Sequence, residues 1–191
     1  MQEYDEALRE QTEKTEIVFQ GPIFRVEVAE VRLPNGKTAR RDVVRHPGAV
    51  CVLPVTKEGE VYLVRQWRAG YRGVTLEIPA GKLDPGETDT REAAARELRE
   101  ETGAVAGRMT SLGDYYGSPA ILEERIAMYL AEDLTFGETD FDEDEFLAPV
   151  KMPLDDLVRE VLAGQIPDGK TQVAALRAYC MRHGLPDGTA L

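Results

Sequence analysis

Cysteine is scarce in this 191-residue chain: Cys51 and Cys180 are the two. Two are too few for a disulfide framework, and a reducing, cytoplasmic setting is expected. The two histidines, His46 and His183, have no partners at metal-ligand spacing, and no Ser/His/Asp or Cys/His nucleophile set is visible. No apolar run reaches the ~20 residues that cross a bilayer. The opening MQEYDEALREQTEK is charged and lacks the apolar segment of a secretory signal. Cations are in deficit, with 23 Lys+Arg against 35 Asp+Glu and a formal net charge of −12. That balance argues against non-specific nucleic-acid binding, which needs a basic surface to release counterions, and a membrane partner is equally unsupported. What remains is an acidic globular chain with 42% hydrophobic residues, long enough to bury a sizeable core in one main domain.

What is present alternates between strand and helix patterns. The first fourteen residues read as a short helix or a frayed tail. Ile17 to Phe19 and Ile23 to Leu33 read as strands, with a slip in the alternation that suggests a bulge near Ala29. Pro34-Asn35-Gly36 is a hairpin turn leading into Thr38 to Val44, and His46-Pro47-Gly48 breaks the pattern. This predicts a small N-terminal β-subdomain over residues 1–47 and a main domain over 48–191. In the latter, Ala49 to Val55 is a near-continuous apolar run, as expected of a strand covered on both faces. Further strands are expected at Val61 to Trp67, Val74 to Ile78 and Met128 to Ala131, and helices at Thr90 to Thr102, Leu154 to Ala163 and Thr171 to His183. Asp89 with Glu92 resembles a capping box, and Gly103 stands where the first helix should stop. The fold class is mixed α/β. One segment is compositionally biased: Glu138 to Glu145, with six acids in eight positions.

The chemistry concentrates between Gly81 and Ala104. On a helix advancing 100° per residue, Glu97, Glu100 and Glu101 crowd into an arc of about 100°, with Leu98 and Ala94 beside it. Like charges at these spacings repel by a few tenths of a kcal/mol per pair, so the cluster needs cations. Arg96 and Arg99 could provide them in a solvated, salt-bridged helix. The preceding loop, with Pro79-Ala80-Gly81 and Pro85-Gly86-Glu87, could instead bring backbone carbonyls and Glu87 to the acidic face. That is an oxygen cage suited to a hard divalent cation and a phosphate substrate.

Gly81, then five residues, then Glu87, followed by Arg96-Glu97-Leu98-Arg99-Glu100-Glu101-Thr102-Gly103-Ala104, resembles the signature box of Nudix hydrolases, G-x5-E-x7-R-E-U-x-E-E-x-G-U. The sequence departs from it by one residue: eight, not seven, separate Glu87 from Arg96. The insertion falls within Thr88–Thr90, ahead of the helix or at its cap. The resemblance implies hydrolysis of a nucleoside diphosphate linked to another moiety, on a mixed β-sheet sandwiched between helices. It also implies Mg²⁺, with Mn²⁺ as an alternative, held by Glu97, Glu100, Glu101 and the Ala80 carbonyl, with Glu100 counted among the catalytic carboxylates as well. Arg96 is expected to orient the glutamates.

Glu77-Ile78-Pro79-Ala80-Gly81, the proline at Pro119 and the N-terminal β appendage resemble the ADP-ribose pyrophosphatase branch. These enzymes are typically homodimers that exchange such strands. That branch implies ADP-ribose as substrate, with AMP and ribose 5-phosphate as products. It implies substrate contacts from Arg45, Arg68 and Pro119, and an activating carboxylate in the acidic run, Glu143 first and Glu145 second. Trp67 could stack on adenine but reads more readily as packing, and Cys51 and Cys180 read as core. The rival readings are another nucleoside diphosphate sugar such as GDP-mannose, and a non-catalytic nucleotide sensor.

Overall fold

The structure, a computed structural model, describes residues 6–139 and 146–184. The chain divides into two units: one runs to Gly48 and takes in Tyr116–Glu124, and the other comprises Ala49–Tyr115 and the chain from Arg125 onward. Among the described residues no helix is long and apolar enough to cross a membrane.

In the first unit, β1 (Gln11–Gln20), β2 (Arg25–Arg32) and β3 (Thr38–Arg45) form an antiparallel sheet in the order β1-β2-β3. The Pro34-Asn35-Gly36 turn forms as expected. Gly36 has φ +79°, the Asn35 side chain accepts from the Lys37 amide, and the Leu33 amide donates to the Lys37 carbonyl. Two expectations are corrected. β1 begins at Gln11, within the stretch read as helix or tail, because its backbone pairs with β2 although all of its residues are exposed. There is no bulge at Ala29, since β2 pairs with β3 without a shift. The irregularities lie in β1, between Thr12 and Lys14 and between Ile17 and Phe19. The apparent slip arose because the buried face of β2 is Glu27, Ala29 and Val31. A glutamate lies on that face because Arg25 and Arg45 each donate to it at 2.7 Å.

The second unit holds two further sheets. One has the order β10-β5-β6, from β5 (Glu60–Arg68), β6 (Gly73–Glu77) and β10 (Ala148–Pro153); the other has the order β7-β4-β9-β8, from β4 (Ala49–Pro54), β7 (Ala80–Lys82), β8 (Ala104–Tyr115) and β9 (Ile126–Phe136). The latter is mixed, because β4 and β9 run parallel while β7 and β8 join antiparallel. β4 is buried along its whole length, and its alternate residues feed two cores. Val50 and Val52 pack with Ala93, Ala94 and Leu98 of α1 (Thr90–Thr102). Cys51 and Leu53 pack with Leu154, Leu157 and Val158 of α2 (Leu154–Leu162) and with Ala174, Ala175 and Ala178 of α3 (Gly169–Arg182). Helices therefore cover both faces, which is why β4 reads as a continuous apolar run.

The α1 boundaries match the sequence expectation. The Asp89 side chain accepts from the Arg91 and Glu92 amides, and Gly103 closes the helix in the left-handed conformation. The long strand β8 has no signature in the sequence: only Ala104 and Leu112 on it are buried, so no alternation marks it. The edge strand β10 was missed too: it pairs with β5 alone and carries prolines at Pro149 and Pro153, a pattern tolerated at sheet edges.

Gly103 and Gly164 follow α1 and α2, both with positive φ, but a Cβ at Gly103 would lie 2.5 Å from the Gly137 carbonyl oxygen, whereas one at Gly164 would meet nothing within 4 Å. Gly164→Ala is expected to cost roughly the 1–2 kcal/mol of left-handed strain. Gly103→Ala should cost ~1–3 kcal/mol more through overpacking, read by equilibrium urea unfolding of the two variants.

Candidate functional site

The second unit brings the acidic face of α1 against the strand end at Ala80-Gly81. Glu97 and Glu101 are buried at 8% and 2% exposure, while Glu100 is half-buried. Gly81 leaves room for the Glu97 carboxylate, which a Cβ at that position would displace. The Ala80 amide donates to Glu101 Oε1 at 3.3 Å. Arg96 gathers the remaining acids: Nη1 donates to Glu97 at 2.8 Å and to Glu100 at 3.0 Å, and Nη2 donates to Glu87 at 3.3 Å. Burial alone would lower the Arg96 pKa, but these carboxylates, Glu97 foremost, raise it, so the guanidinium stays charged. Glu87 also accepts from the Asp84 amide at 3.0 Å, and its pKa is held down by that amide and by Arg96. With the extra residue between them, Glu87 still reaches Arg96.

The donor set fits a hard divalent cation: it is all oxygen, partly buried and net negative. Among the described residues no three His, Cys, Asp or Glu side chains form a ready ion-holding group. An ion bound here would also need the backbone at Ala80, water or substrate oxygens, which is the usual coordination habit of Mg²⁺.

Beside this face lies a second charged cluster that sequence reasoning missed. Glu77, at the end of β6, is 1% exposed. Arg68 grips it with two hydrogen bonds of 2.8 and 2.7 Å, the Thr75 hydroxyl donates to it at 2.5 Å, and Lys170 forms an ion pair with it. Lys170 also donates to Asp168 at 2.9 Å, and the Asp168 carboxylate caps α3 through the Thr171 amide. Burial alone would raise the Glu77 pKa, but Arg68, Lys170 and Thr75 outweigh it and hold the group down at about 2. The signal was available. A charge at the end of the otherwise buried Thr75-Leu76-Glu77-Ile78 stretch requires a cation from elsewhere.

Residues 44–176 match the NUDIX domain family model, over more than half of the chain. The chain belongs to the Nudix family. Residues 10–44 match a second model, described as the nucleoside diphosphate sugar hydrolase N-terminal domain. Among similar proteins, the ADP-ribose pyrophosphatase of Bacillus subtilis (strain 168) is 41% identical over 170 residues, covering 88% of this chain and 91% of that protein. A methanol dehydrogenase activator of Bacillus methanolicus is likewise 41% identical, over 86% of this chain and 90% of that one. A crystal structure of an ADP compounds hydrolase superposes with a TM-score of 0.76 at 25% identity, covering 92% of this chain and 96% of that one.

The Nudix box residues Gly81, Glu87, Arg96, Glu97, Glu100 and Glu101 therefore lie together, with Ala80 at their edge. The other expected residues are placed differently. Arg68 is bound to Glu77 as described. Arg45, in the first unit, donates to Glu27 and to Glu123, each at 2.7 Å. Pro119 is exposed, also in the first unit. Glu143 and Glu145 lie outside the described residues. Trp67, read as packing, is instead 64% exposed, and Cys180 is only half-buried. Cys51 is core, with its thiol pKa pushed up to about 12 by burial.

The depressed Glu77 pKa has a stability consequence. Unfolded, the group takes up its proton near its ordinary value of 4.5, whereas in the folded chain it resists protonation down to about 2. Its contribution is therefore fully present above that unfolded value and is lost as pH falls toward 2. Urea unfolding between pH 6 and about 2.5 should show stability falling through this window. Glu77→Gln should flatten that fall while lowering stability at neutral pH.

Proposed function

We infer that this Nudix hydrolase cleaves the diphosphate bond of ADP-ribose to AMP and ribose 5-phosphate, with Mg²⁺ as its cofactor and Mn²⁺ as a substitute. The observation that carries the reading is the acidic face of α1 seated against Ala80-Gly81, in a chain whose box carboxylates are all present and which resembles an ADP-ribose pyrophosphatase along most of its length. A nucleotide sensor would have no need of that set. Glu97, Glu101 and the Ala80 backbone would hold the cation, with Glu100 beside them. When bound, the cation supplies positive charge opposite the diphosphate and lowers the pKa of a coordinated water.

The chain's own side chains do the rest. Arg96 clasps Glu97 and Glu100 and so restricts their rotamers. In a protein of net charge −12, an anionic substrate must be met by local cations, and Arg68 and Arg45 are assigned that role, with Pro119 as a further substrate contact. Glu143 is assigned to take the proton of the attacking water, with Glu145 as second choice.

We assign the N-terminal strands to pairing with a second copy. β1 is an edge strand with Ile17, Val18 and Phe19 all at least half exposed, and such an edge invites a further chain. Sedimentation velocity should report a dimer for the wild type, and the double substitution Ile17→Lys, Phe19→Lys should shift it to monomer.

Phosphate released from ADP-ribose in a phosphatase-coupled assay tests the activity. Turnover should require Mg²⁺ and fall ~100-fold or more in Glu101→Gln, beyond the 10–100-fold typical of outer-shell changes. A panel including GDP-mannose compares substrates. ADP-ribose binding without turnover in the wild type would overturn hydrolysis.

A further inference from the structure

Each residue from Glu77 to Gly81 is bonded to or packed against another element of the second unit. Glu77 is held by Arg68, Thr75 and Lys170. The Ile78 amide donates to Thr171 Oγ1 at 2.9 Å. The Pro79 carbonyl accepts from the Val52 amide at 2.9 Å. The Ala80 amide reaches Glu101, and Gly81 lies against Glu97. Two of these five ties come from the first turn of α3, which contributes nothing to the Nudix box.

That turn is itself closely built. Asp168 accepts from the Thr171 amide at 2.9 Å and from the Thr171 hydroxyl at 2.5 Å. It also accepts from Lys170 Nζ at 2.9 Å. The Thr171 hydroxyl thus works in both senses, donating to Asp168 and accepting from Ile78. Thr171 is 0% and Lys170 7% exposed. Gly169 admits the Tyr115 hydroxyl into the space a Cβ would fill, which seats the helix start against β8. The cluster pairs two carboxylates, Glu77 and Asp168, with two cations, Arg68 and Lys170, so its burial leaves no net charge. Because interiors are close-packed and transmit small displacements, a shift at Ile78 is carried along the strand end to Ala80.

We propose that Thr171, with Asp168 and Lys170, is a positioning residue of the cation site: by fixing the Ile78 amide and the Glu77 carboxylate, the first turn of α3 sets where the Ala80 backbone stands relative to Glu97 and Glu101, and so sets the affinity for the divalent ion. All three belong to α3 or its N-cap, not to the α1 face that would hold the ion. The electrostatics agree with this placement. The Arg68 pKa is raised chiefly by its hydrogen bonds to Glu77, with smaller contributions from Asp168 and Glu101, so the cluster and the carboxylate face lie within each other's field.

The proposal rests on the assignment of Glu97 and Glu101 as cation ligands, and its test separates the two. Mn²⁺ binding is measured on the full chain without substrate, by the electron paramagnetic resonance signal of free aqueous Mn²⁺. The samples are wild type, Thr171→Val, Thr171→Ser, Asp168→Asn and Glu101→Gln, each checked for folding by circular dichroism and thermal melting. Thr171→Val, which keeps the shape and removes the hydroxyl, should weaken Mn²⁺ about 10-fold, the lower end of outer-shell effects on metal affinity. The Mg²⁺ concentration for half-maximal turnover should rise by a similar factor, with the ADP-ribose KM at saturating Mg²⁺ nearly unchanged. Thr171→Ser restores the hydroxyl and should return both values to near wild type. A folded Thr171→Val that binds Mn²⁺ as the wild type does, while Glu101→Gln loses it, overturns the positioning role and leaves the ligand assignment intact. Should Thr171→Val not fold, Asp168→Asn decides, because asparagine also caps helices; unchanged Mn²⁺ affinity there overturns the role equally. Wild type and Glu101→Gln binding Mn²⁺ alike would overturn the ligand assignment, and the positioning role with it.

Discussion

A carboxylate enters a protein interior only if something compensates its charge, and that constraint organises this molecule. The buried acids among the described residues are Glu27, Glu77, Glu97 and Glu101. Glu27 is held by Arg25 and Arg45, and Glu77 by Arg68 and Lys170. Glu97 is met by Arg96, and Glu101 accepts from the Ala80 backbone. Breaking such a pair leaves the acid's charge uncompensated, so each arginine is bound to its position by the acid it serves. In a chain with a surplus of acids, the placement of the few cations decides where carboxylates can be concentrated.

The two clusters of the second unit divide the work that follows from this. Around Glu77 the charges balance, and the result is rigidity: a strand end locked to β5 and to the start of α3. Around Glu97, Glu100 and Glu101, with Glu87 beside them, Arg96 and the more distant Arg99 face four carboxylates, and the result is a site that gathers acids. The backbone at Ala80-Gly81 joins the two. A chemically useful imbalance thus sits directly beside a balanced cluster that holds its geometry, the arrangement by which supporting residues orient ligands and tune affinity.

The helical half of the site was legible because it is local. Spacing along α1 alone places Glu97, Glu100 and Glu101 on one arc, and Asp89 and Gly103 bound the helix through backbone chemistry that depends on neighbours in sequence. The extra residue ahead of Arg96 leaves that arc untouched, because Glu97, Glu100 and Glu101 all follow it and keep their mutual spacing. The strands were read less well. β8 and β10 lack alternation because one is largely exposed and the other is an edge, and β1 is exposed on both faces and marked by pairing alone.

By itself, then, the sequence determined the helix that carries the carboxylates, the turns, the doubly covered strand β4 and the family that the box announces, all consequences of periodicity and short-range hydrogen bonding. Tertiary structure alone decided which cation meets which acid. The grip of Arg68 on Glu77 leaves no mark in the sequence; Thr171 reads as the plain start of a helix, yet Lys170 and Thr171 close on Glu77 and Ile78, each 93 positions away in the chain. Charge pairing acts through space and has no period, so no pattern along the chain records it.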